Sequence, residues 1–437
     1  MRADHWTTTH CRVLDIMVLK CLLCLVATLS IAKAGDLVSI EGFEVEHRSM
    51  LPPSTGGSYW TPPILDANPS HYDQYLFSWR FRGDDFAARN TTQIDAVVTI
   101  TADDHAMPPM VCRPLDTADL SAICGSGGVV DDQSENSLGR NALWTLPATR
   151  FTATLELKFL AQTANGVQQT TAKAVGRFVR GIADNQWGGA EWIGVEDANG
   201  TASQFRSVTN LGTLGFQSST DVARAFLFVA GLGGYRASIN GRALDPTSIR
   251  SSVTEWHNRT LYYGDEVTND VAAALSSSII ATGPVAGSKK GAAATGTGDG
   301  TLVISVELFK HWYGLSNNFY LKPYGPRALK CVLVVTHTNG TVVFASPTRP
   351  GSVQALANNL STTWRRASGS LLFDDLHVGQ TVDGRQATPG WESTVYDPSS
   401  WTSPKSVGGP PGQLQTHPMQ HSRVLERVVP SNVSAAP

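Results

Sequence analysis

After residue 35 the chain is a succession of short apolar or alternating runs separated by turn residues, and this pattern decides its fold class. The clearest runs are Gln74–Trp79, Ile94–Ile100, Phe151–Leu160, Ala225–Leu232, Thr301–Leu308 and Cys331–Val335. Runs of this length bounded by Gly, Pro, Asn, Asp and Ser are typical of β-strands in sandwiches. Because we find neither a long helical apolar stripe nor βαβ alternation there, the sequence predicts an all-β protein.

Charge and composition narrow the function classes without choosing one. The 437 residues carry a formal net charge of −3, which gives no electrostatic argument for binding nucleic acid or an anionic membrane. Their hydrophobic content of 41% is enough for buried cores. At about 150 residues per domain, the length allows about three units. We expect no nucleic-acid partner.

The N-terminal segment 1–34 has the pattern of a cleaved secretory signal. An apolar run over 16–31 contains Lys20 and is followed by an A-x-A site at 32–34. A membrane anchor is the alternative, but Lys20 interrupts the run, which is shorter than the roughly 20 residues of a spanning helix. The start is Met1 or Met17. We expect a secreted protein with no membrane span after signal cleavage.

Six N-x-S/T sequons agree with export and predict a glycosylated surface. They stand at Asn90, Asn199, Asn258, Asn339, Asn359 and Asn432.

Three cysteines remain after the signal. Cys112 and Cys124 flank a short loop and are candidates for a disulfide in an oxidising compartment. Cys331 lies in an apolar run and is expected to be a buried free thiol. The alternative is that all three thiols are free. None of them has the spacing of a zinc site.

Turn-rich and low-complexity stretches divide the chain. A Gly-containing turn over 184–189 predicts a boundary between modules at 35–188 and 189–405. Residues 283–300 are predicted to be a flexible insertion. The segment 406–437, rich in Pro, Gly, Gln and Ser, is expected to be a linker or the start of a further domain.

Motifs for nucleotide or catalytic chemistry are incomplete. Gly231-Leu-Gly-Gly follows a predicted strand, but Arg236 stands where a dinucleotide-binding loop needs Gly, and Asn240-Gly241 suits a hairpin turn. Adjacent acidic pairs would point to opposite faces of a strand, so they suit turns better than glycoside hydrolysis. The sequence therefore offers no catalytic residue.

Aromatic side chains next to turns are candidate sugar contacts. They are Tyr235, Trp256 and the pair Trp312-Tyr313. An aromatic ring can stack on the apolar face of a pyranose while nearby polar groups bond its hydroxyls. The alternative is that these rings fill the sandwich cores, where aromatic residues dominate burial.

Several motifs follow one another in a specific order. They include WGGAEWIG at 187–194, AGLGGYRASING at 230–241, HWYG at 311–314 and DDLHVGQTVD at 374–383. In this order they resemble the N-terminal region of bacterial-type α-L-rhamnosidases, glycoside hydrolase family 78, over about 75–426. HWYG stands in place of the family's G-N-G-W-Y and lacks its first Gly-Asn pair.

The resemblance implies a fibronectin-III-like β-sandwich followed by a jelly-roll-like β-sandwich. It also implies a lineage of enzymes that hydrolyse terminal α-L-rhamnosides with inversion, through two carboxylates. In the family these carboxylates lie in an (α/α)6 barrel. Because no helical array of that kind is recognisable in the sequence, no catalytic residue is carried over.

Some relatives use such a sandwich as a calcium-dependent rhamnose-binding module. This implies Asn240, Asp245 and Trp256, with Trp312, as carbohydrate contacts. Tryptophan would stack on the sugar, and the oxygens of Asn240 and Asp245 would suit Ca²⁺, the one candidate cofactor. The alternative assigns them to a hairpin Asn-Gly, a turn aspartate and a core tryptophan.

Three functions remain open on the sequence. The first is the accessory β-modules of an α-L-rhamnosidase without a catalytic domain. The second is a stand-alone lectin-like module that binds rhamnose-containing glycans or glycosides. The third is a structural secreted glycoprotein with no ligand. Rhamnose binding and turnover of an α-L-rhamnoside distinguish them.

Overall fold

The computed structural model describes part of the chain in detail. The described residues are 40–45, 48–49, 64–65, 74–81, 92–103, 109–113, 121–125, 147–163, 166–194, 203–245, 250–251, 253–276, 298–314, 324–349, 364–375 and 377–417. β-strands dominate these segments, which confirms the predicted all-β class. Among them, no helix is long and apolar enough to span a membrane.

The first sandwich packs a four-stranded sheet against a five-stranded sheet. Its strands are β1 (Ile40–Val45), β2 (Arg48–Ser49), β3 (Ile64–Leu65), β4 (Gln74–Phe81), β5 (Thr92–Ala102), β6 (Met110–Cys112), β7 (Ser121–Gly125), β8 (Arg150–Thr163) and β9 (Gly166–Arg180). The sheet orders are β2-β1-β4-β7 and β3-β9-β8-β5-β6. Aromatic side chains join the layers, because Phe77 of β4 packs edge-on against Phe178 of β9, with 5.7 Å between ring centroids.

The second sandwich contains the remaining strands and one short helix. They are β10 (Ile193–Gly194), β11 (Ser203–Asn210), β12 (Val222–Gly231), β13 (Gly234–Ile239), β14 (Arg242–Ala243), β15 (Arg250–Ser251), β16 (Arg259–Glu266), α1 (Thr268–Leu275), β17 (Thr301–Phe309), β18 (Ala328–His337), β19 (Val342–Ala345), β20 (Arg365–Ser368), β21 (Leu371–Asp375), β22 (Gly379–Val382), β23 (Lys405–Ser406) and β24 (Gln413–Thr416).

Two large sheets enclose the core of the second sandwich. One has the order β23-β10-β18-β12-β16-β24 with β19 on β18, and the other has the order β14-β13-β17-β11-β20 with β15 on β13. Strand alternation on β17 directs Leu302, Ile304, Val306 and Leu308 into the shared core. The other face of β17 carries Ser305 and Glu307 together with the apolar side chains of Val303 and Phe309. The hairpin β21-β22 forms a separate two-stranded sheet.

The predicted strands and hairpin are found where the sequence places them. Five of the six apolar runs lie within β4, β5, β8, β17 and β18, and the sixth, Ala225–Leu232, extends one residue beyond β12. Asn240 and Gly241 both have positive φ, +48° and +81°, and connect β13 to β14. This is the geometry that favours Asn-Gly in a two-residue hairpin. Cys331 is a buried free thiol, as predicted, and burial raises its pKa.

Part of the segment 406–437 differs from expectation. Residues 413–416 form β24, which pairs in parallel with β16 and buries Leu414. The physical reason is the alternation Gln-Leu-Gln-Thr, which a composition-based view of this segment overlooks. Residues 418–437, the signal 1–34 and 283–297 lie outside the described residues.

The predicted disulfide stays a prediction. Strand β6 carries Cys112 in the five-stranded sheet, and β7 carries Cys124 in the four-stranded sheet. Their side chains lie outside the described part of the chain.

Tyr262 joins the two sandwiches. Its hydroxyl accepts a hydrogen bond from Ile182 N and donates one to Ile182 O, both at 2.9 Å. The Trp187 ring packs edge-on against it at 5.3 Å. A shared apolar cluster surrounds this contact and includes Val179 from the first sandwich and Phe228 from the second. The junction is therefore a packed interface with its buried amide and carbonyl both bonded.

We expect Tyr262→Phe to weaken this junction. Loss of the hydroxyl removes both bonds to buried Ile182, which costs about 1–3 kcal/mol when polar groups stay unpaired. Calorimetry should show a lower and broader unfolding transition. Tyr263→Phe is the matched control, because the Tyr263 hydroxyl bonds Ser251 O within the second sandwich. A transition of Tyr262→Phe identical to that of the unaltered chain would contradict the role assigned to the hydroxyl.

Candidate functional site

Aromatic rings gather where β16 begins and β17 ends, at one end of the second sandwich. The Trp256 ring lies 5.3 Å from Tyr313 and 4.5 Å from Tyr324, measured between centroids. Trp312 packs against the same cluster, and the His257 ring lies 5.7 Å from Tyr324. We call Trp256, His257, Trp312, Tyr313 and Tyr324 the aromatic end.

Exposure within the aromatic end is graded. Trp256 and Tyr313 are only 4% and 3% exposed, whereas Tyr324 is 36% exposed. His257 is exposed and Trp312 is half-buried. The side chains of Tyr324 and His257 are therefore accessible to a ligand, and that of Trp312 is accessible in part. The structure brings together Trp256 and Trp312, two of the residues predicted to contact sugar.

A tight turn after β17 positions these rings. Gly314 N donates to Lys310 O at 3.1 Å. A Cβ at Gly314 would lie 2.8 Å from Lys310 Cγ, so the turn needs glycine there. His311 has φ +43°, in the left-handed region, which costs a non-glycine residue about 1–3 kcal/mol. Contacts with other segments therefore have to hold His311 in this unfavourable backbone conformation.

A buried charge network supplies those contacts. Lys310 Nζ lies 3.7 Å from Asp375 Oδ2, and the two side chains are 5% and 3% exposed. The Lys310 amide donates to Asp374 Oδ2 at 2.6 Å. Asp375 Oδ1 also accepts from the amides of His377 and Val378, at 3.0 and 3.2 Å. These bonds tie the end of β17 to the hairpin β21-β22.

Polar groups lie beside the aromatic end. His311 Nδ1 and Ser251 Oγ are hydrogen-bonded at 2.7 Å. Burial lowers the pKa of His311, and the Asp374 charge partly offsets this effect, which favours the neutral form of the imidazole. Ser251 is fixed in turn by its neighbour Arg250, whose buried guanidinium donates twice to the Asp265 carboxylate. The residue that precedes Trp312 in the chain therefore carries an imidazole that is bonded to a hydroxyl.

Asn240 and Asp245 have different surroundings from the aromatic end. Asn240 Oδ1 accepts from Val303 N at 2.7 Å and stabilises the hairpin turn. Asp245 is half-buried just after β14. No group of three or more His, Cys, Asp or Glu that could hold a metal occurs among the described residues. The hairpin-turn alternative therefore describes Asn240, and calcium binding by Asn240 and Asp245 stays a prediction.

Tyr235 lies in the core. It is 1% exposed, and its hydroxyl donates to Val229 O at 3.3 Å. The core-filling alternative describes Tyr235, Trp256 and Tyr313, whereas Trp312 is half-buried.

Two predicted glycosylation sites are accessible. The side chains of Asn258 and Asn339 are exposed in turns, and Asn258 follows His257 of the aromatic end directly. Asn90, Asn199, Asn359 and Asn432 lie outside the described residues.

Comparison with known proteins agrees with this architecture. The model of the alpha-L-rhamnosidase N-terminal domain matches residues 220–288, which include β12 to β16 and the Trp256 turn. The chain is related to the α-L-rhamnosidases. An alpha-L-rhamnosidase of Streptomyces avermitilis is 27% identical over 219 residues, which make up 49% of this chain and 17% of that protein. One from Formosa agariphila is 22% identical over 288 residues, or 59% of this chain and 25% of that protein.

Solved rhamnosidase structures share the fold. The alpha-L-rhamnosidase of Aspergillus terreus superposes with a TM-score of 0.58 at 18% identity, covering 87% of this chain and 35% of that one. The enzyme of Dictyoglumus thermophilum gives 0.55 at 17% identity, covering 88% and 36%. The matched part of the chain spans between about a sixth and a quarter of the length of the curated relatives.

The residues predicted from sequence to contact sugar do not include Tyr324. They also do not include the buried charge network of Lys310, Asp374 and Asp375. Tyr324 follows one proline and precedes a glycine and a second proline, in a segment with no periodic pattern. Asp374 and Asp375 resembled a solvated turn pair, but both are buried because Lys310 reaches them from another sheet. One sign that the turn after β17 is unusual was present in the sequence, because HWYG lacks the first Gly-Asn pair of the family motif.

We expect the half-buried His311 to make the free energy of unfolding fall in mild acid. Its pKa is lower in the folded chain than its ordinary value of 6.5, so the unfolded chain binds the proton first as pH falls. The stabilising contribution is complete above that value and is lost as pH falls through the folded pKa.

Urea unfolding of the His311→Gln variant between about pH 7.5 and about pH 5 should show a smaller decrease in unfolding free energy than the unaltered chain. His257→Gln, at an exposed position, is the control. Parallel pH profiles for the unaltered chain and His311→Gln would exclude this contribution.

Proposed function

We propose that this chain is the carbohydrate-recognising β-sandwich region of a secreted α-L-rhamnosidase-type protein. Its aromatic end would contact rhamnose-containing glycans or glycosides. We assign no hydrolytic step to the described residues, and glycoside cleavage would use carboxylates other than those discussed above.

One observation carries the proposal. Exposed Tyr324 and half-buried Trp312 pack against the cluster that contains buried Trp256. His311, which precedes Trp312 in the chain, is hydrogen-bonded to Ser251. A deoxysugar such as rhamnose offers an apolar face for a ring and hydroxyls for an imidazole or serine. Buried Trp256 would act by supporting Tyr324, because Trp256 is only 4% exposed.

Similarity to known proteins supports rhamnose-containing glycans or glycosides as the ligand class. The matched family model and the curated relatives are those of α-L-rhamnosidases. Secretion is supported by the signal pattern of 1–34 and by the exposed sequons at Asn258 and Asn339.

Calorimetric titration with L-rhamnose tests the proposal. Tyr324→Ala and Trp312→Ala should each weaken binding about tenfold, because stacking on an aromatic ring contributes about 1 kcal/mol or more. Val395→Ala is the control, since its side chain is 85% exposed and it is not one of the residues of the aromatic end. The protein should carry Asn258→Gln throughout, so that a glycan beside His257 does not compete.

Two results would contradict the proposal. The first is an absence of saturable rhamnose binding, which favours a structural role with no ligand. The second is an equal affinity in Tyr324→Ala, Trp312→Ala and Val395→Ala, which moves the sugar elsewhere. Turnover of p-nitrophenyl α-L-rhamnoside by the purified chain would overturn the assignment of recognition without hydrolysis.

A further inference from the structure

An N-glycosylation sequon follows directly after two residues of the aromatic end. The sequon occupies 258–260, and Trp256 and His257 precede it. The Asn258 side chain is exposed. Consecutive Cα atoms are about 3.8 Å apart, so a glycan on Asn258 would start one residue away from His257. The His257 ring in turn lies 5.7 Å from the exposed ring of Tyr324.

Backbone hydrogen bonds fix the turn that carries Asn258. The amides of Asn258 and Arg259 both donate to Glu255 O at 2.9 Å. The amide of Gly412 donates to Trp256 O at 3.1 Å. A Cβ at Gly412 would lie only 2.5 Å from Trp256 O, so the adjoining segment packs closely against the turn. A glycan on Asn258 would therefore leave the surface from a fixed point.

The rings next to the sequon are held in place as well. Glu255 Oε1 and His257 Nδ1 are hydrogen-bonded at 2.8 Å, which orients the imidazole. The Tyr324 ring packs on the buried Trp256 ring, with 4.5 Å between centroids. The first sugar of an N-linked glycan is N-acetylglucosamine, a pyranose whose apolar face can stack on an aromatic ring. Its hydroxyl and amide groups can bond an imidazole or a carboxylate.

Covalent attachment makes even weak stacking effective. A group on a short flexible tether has an effective concentration in about the millimolar range, which a free sugar must overcome. We propose that the first N-acetylglucosamine of a glycan on Asn258 packs on His257 and Tyr324 and blocks the aromatic end. This inference rests on the proposed function for the secretion of the chain and for the sugar that is excluded.

The third residue of the sequon provides a second way to remove the glycan. Thr260 is only 1% exposed in β16, and its Oγ1 has no hydrogen-bond partner among the described residues. Since the folded chain hides this hydroxyl, the glycan has to be attached before β16 is in place. Thr260→Val removes the sequon but keeps Asn258. Replacing an unbonded hydroxyl by a methyl group should be nearly neutral for stability.

Asn339 offers a matched control sequon. Its side chain is also exposed, in the turn between β18 and β19. Strand β18 begins at Ala328, which packs in one cluster with Trp256 and Tyr313, and it ends at His337. At about 3.3 Å per residue this strand is about 30 Å long, so Asn339 lies at the end far from the aromatic end. A glycan on Asn339 should therefore not shield Tyr324.

Nitration of tyrosine by tetranitromethane measures access to Tyr324 without any added sugar. The full chain, Asn258→Gln, Thr260→Val and Asn339→Gln are secreted from eukaryotic cells, and glycopeptide mass spectrometry gives the occupancy of both sequons. We expect an occupied Asn258, and a nitration rate of Tyr324 that is about twofold or more higher in Asn258→Gln and Thr260→Val than in the other two proteins. Trimming the glycans to one N-acetylglucosamine should preserve this difference, because the first sugar makes the contact.

Three results would overturn the inference. The first is an unoccupied Asn258 in a chain whose Asn339 is occupied. The second is an equal nitration rate of Tyr324 in all four proteins. The third is a difference in rate that disappears when the glycans are trimmed to one sugar, since the outer sugars would then cause the shielding.

Calorimetry with L-rhamnose separates this inference from the proposed function. We expect the glycosylated chain to bind rhamnose about twofold or more weakly than Asn258→Gln does. If nitration depends on the glycan but no variant binds rhamnose, the shielding stands and the proposed ligand is wrong. If rhamnose binds with equal affinity with and without the glycan, the aromatic end stands and the block is rejected. If neither sequon is occupied, both secretion and the block are rejected.

Discussion

Lys310 lies between two aspartates with almost no access to water, and the end of the second sandwich depends on this contact. Removing one partner of a buried ion pair leaves an uncompensated charge, which costs about 3–5 kcal/mol. The network therefore fixes where β17 ends and how the hairpin β21-β22 docks. It also holds His311 in a backbone conformation that an isolated peptide would avoid. The positions of Trp312 and Tyr313 follow from that turn.

The same strand, β17, relates the core to the aromatic end. One face supplies apolar side chains to the core between the large sheets. The turn after the strand supplies the aromatic end. The second face is covered by the segment 391–396, in which Trp391 O and Glu392 Oε1 accept hydrogen bonds from Arg206 and Ser238.

The first sandwich is joined to this unit by a bonded and apolar interface. Tyr262 spans it with two hydrogen bonds, and Arg150 adds an ion pair to Glu266 at 3.2 Å. Interfaces with so many buried apolar side chains resist relative motion more than polar ones do. We therefore expect the two sandwiches to present the aromatic end from a common rigid support.

Local patterns predicted much of the fold, whereas the sites depend on contacts between distant segments. The alternation in Thr301–Leu308 and the Asn240-Gly241 hairpin were readable because strand period and turn chemistry act over a few residues. Trp256 and Trp312 were identified as candidates by residue type, but which of them is accessible depends on Tyr313 and Tyr324. The burial of Asp374 could not be predicted locally, because it depends on Lys310, which is 64 residues away in the chain. Likewise, Ser238 bonds Glu392, which is 154 residues away.

The most direct test of the central claim is NMR of the chain, with isotope-labelled aromatic and histidine side chains, titrated with L-rhamnose. The account predicts saturable shifts confined mainly to Tyr324, Trp312, His257 and His311, with the buried core ring Tyr235 unchanged. Saturable shifts that leave these four residues unmoved, or no saturable shifts at all, would contradict the assignment of the aromatic end as a carbohydrate-binding surface.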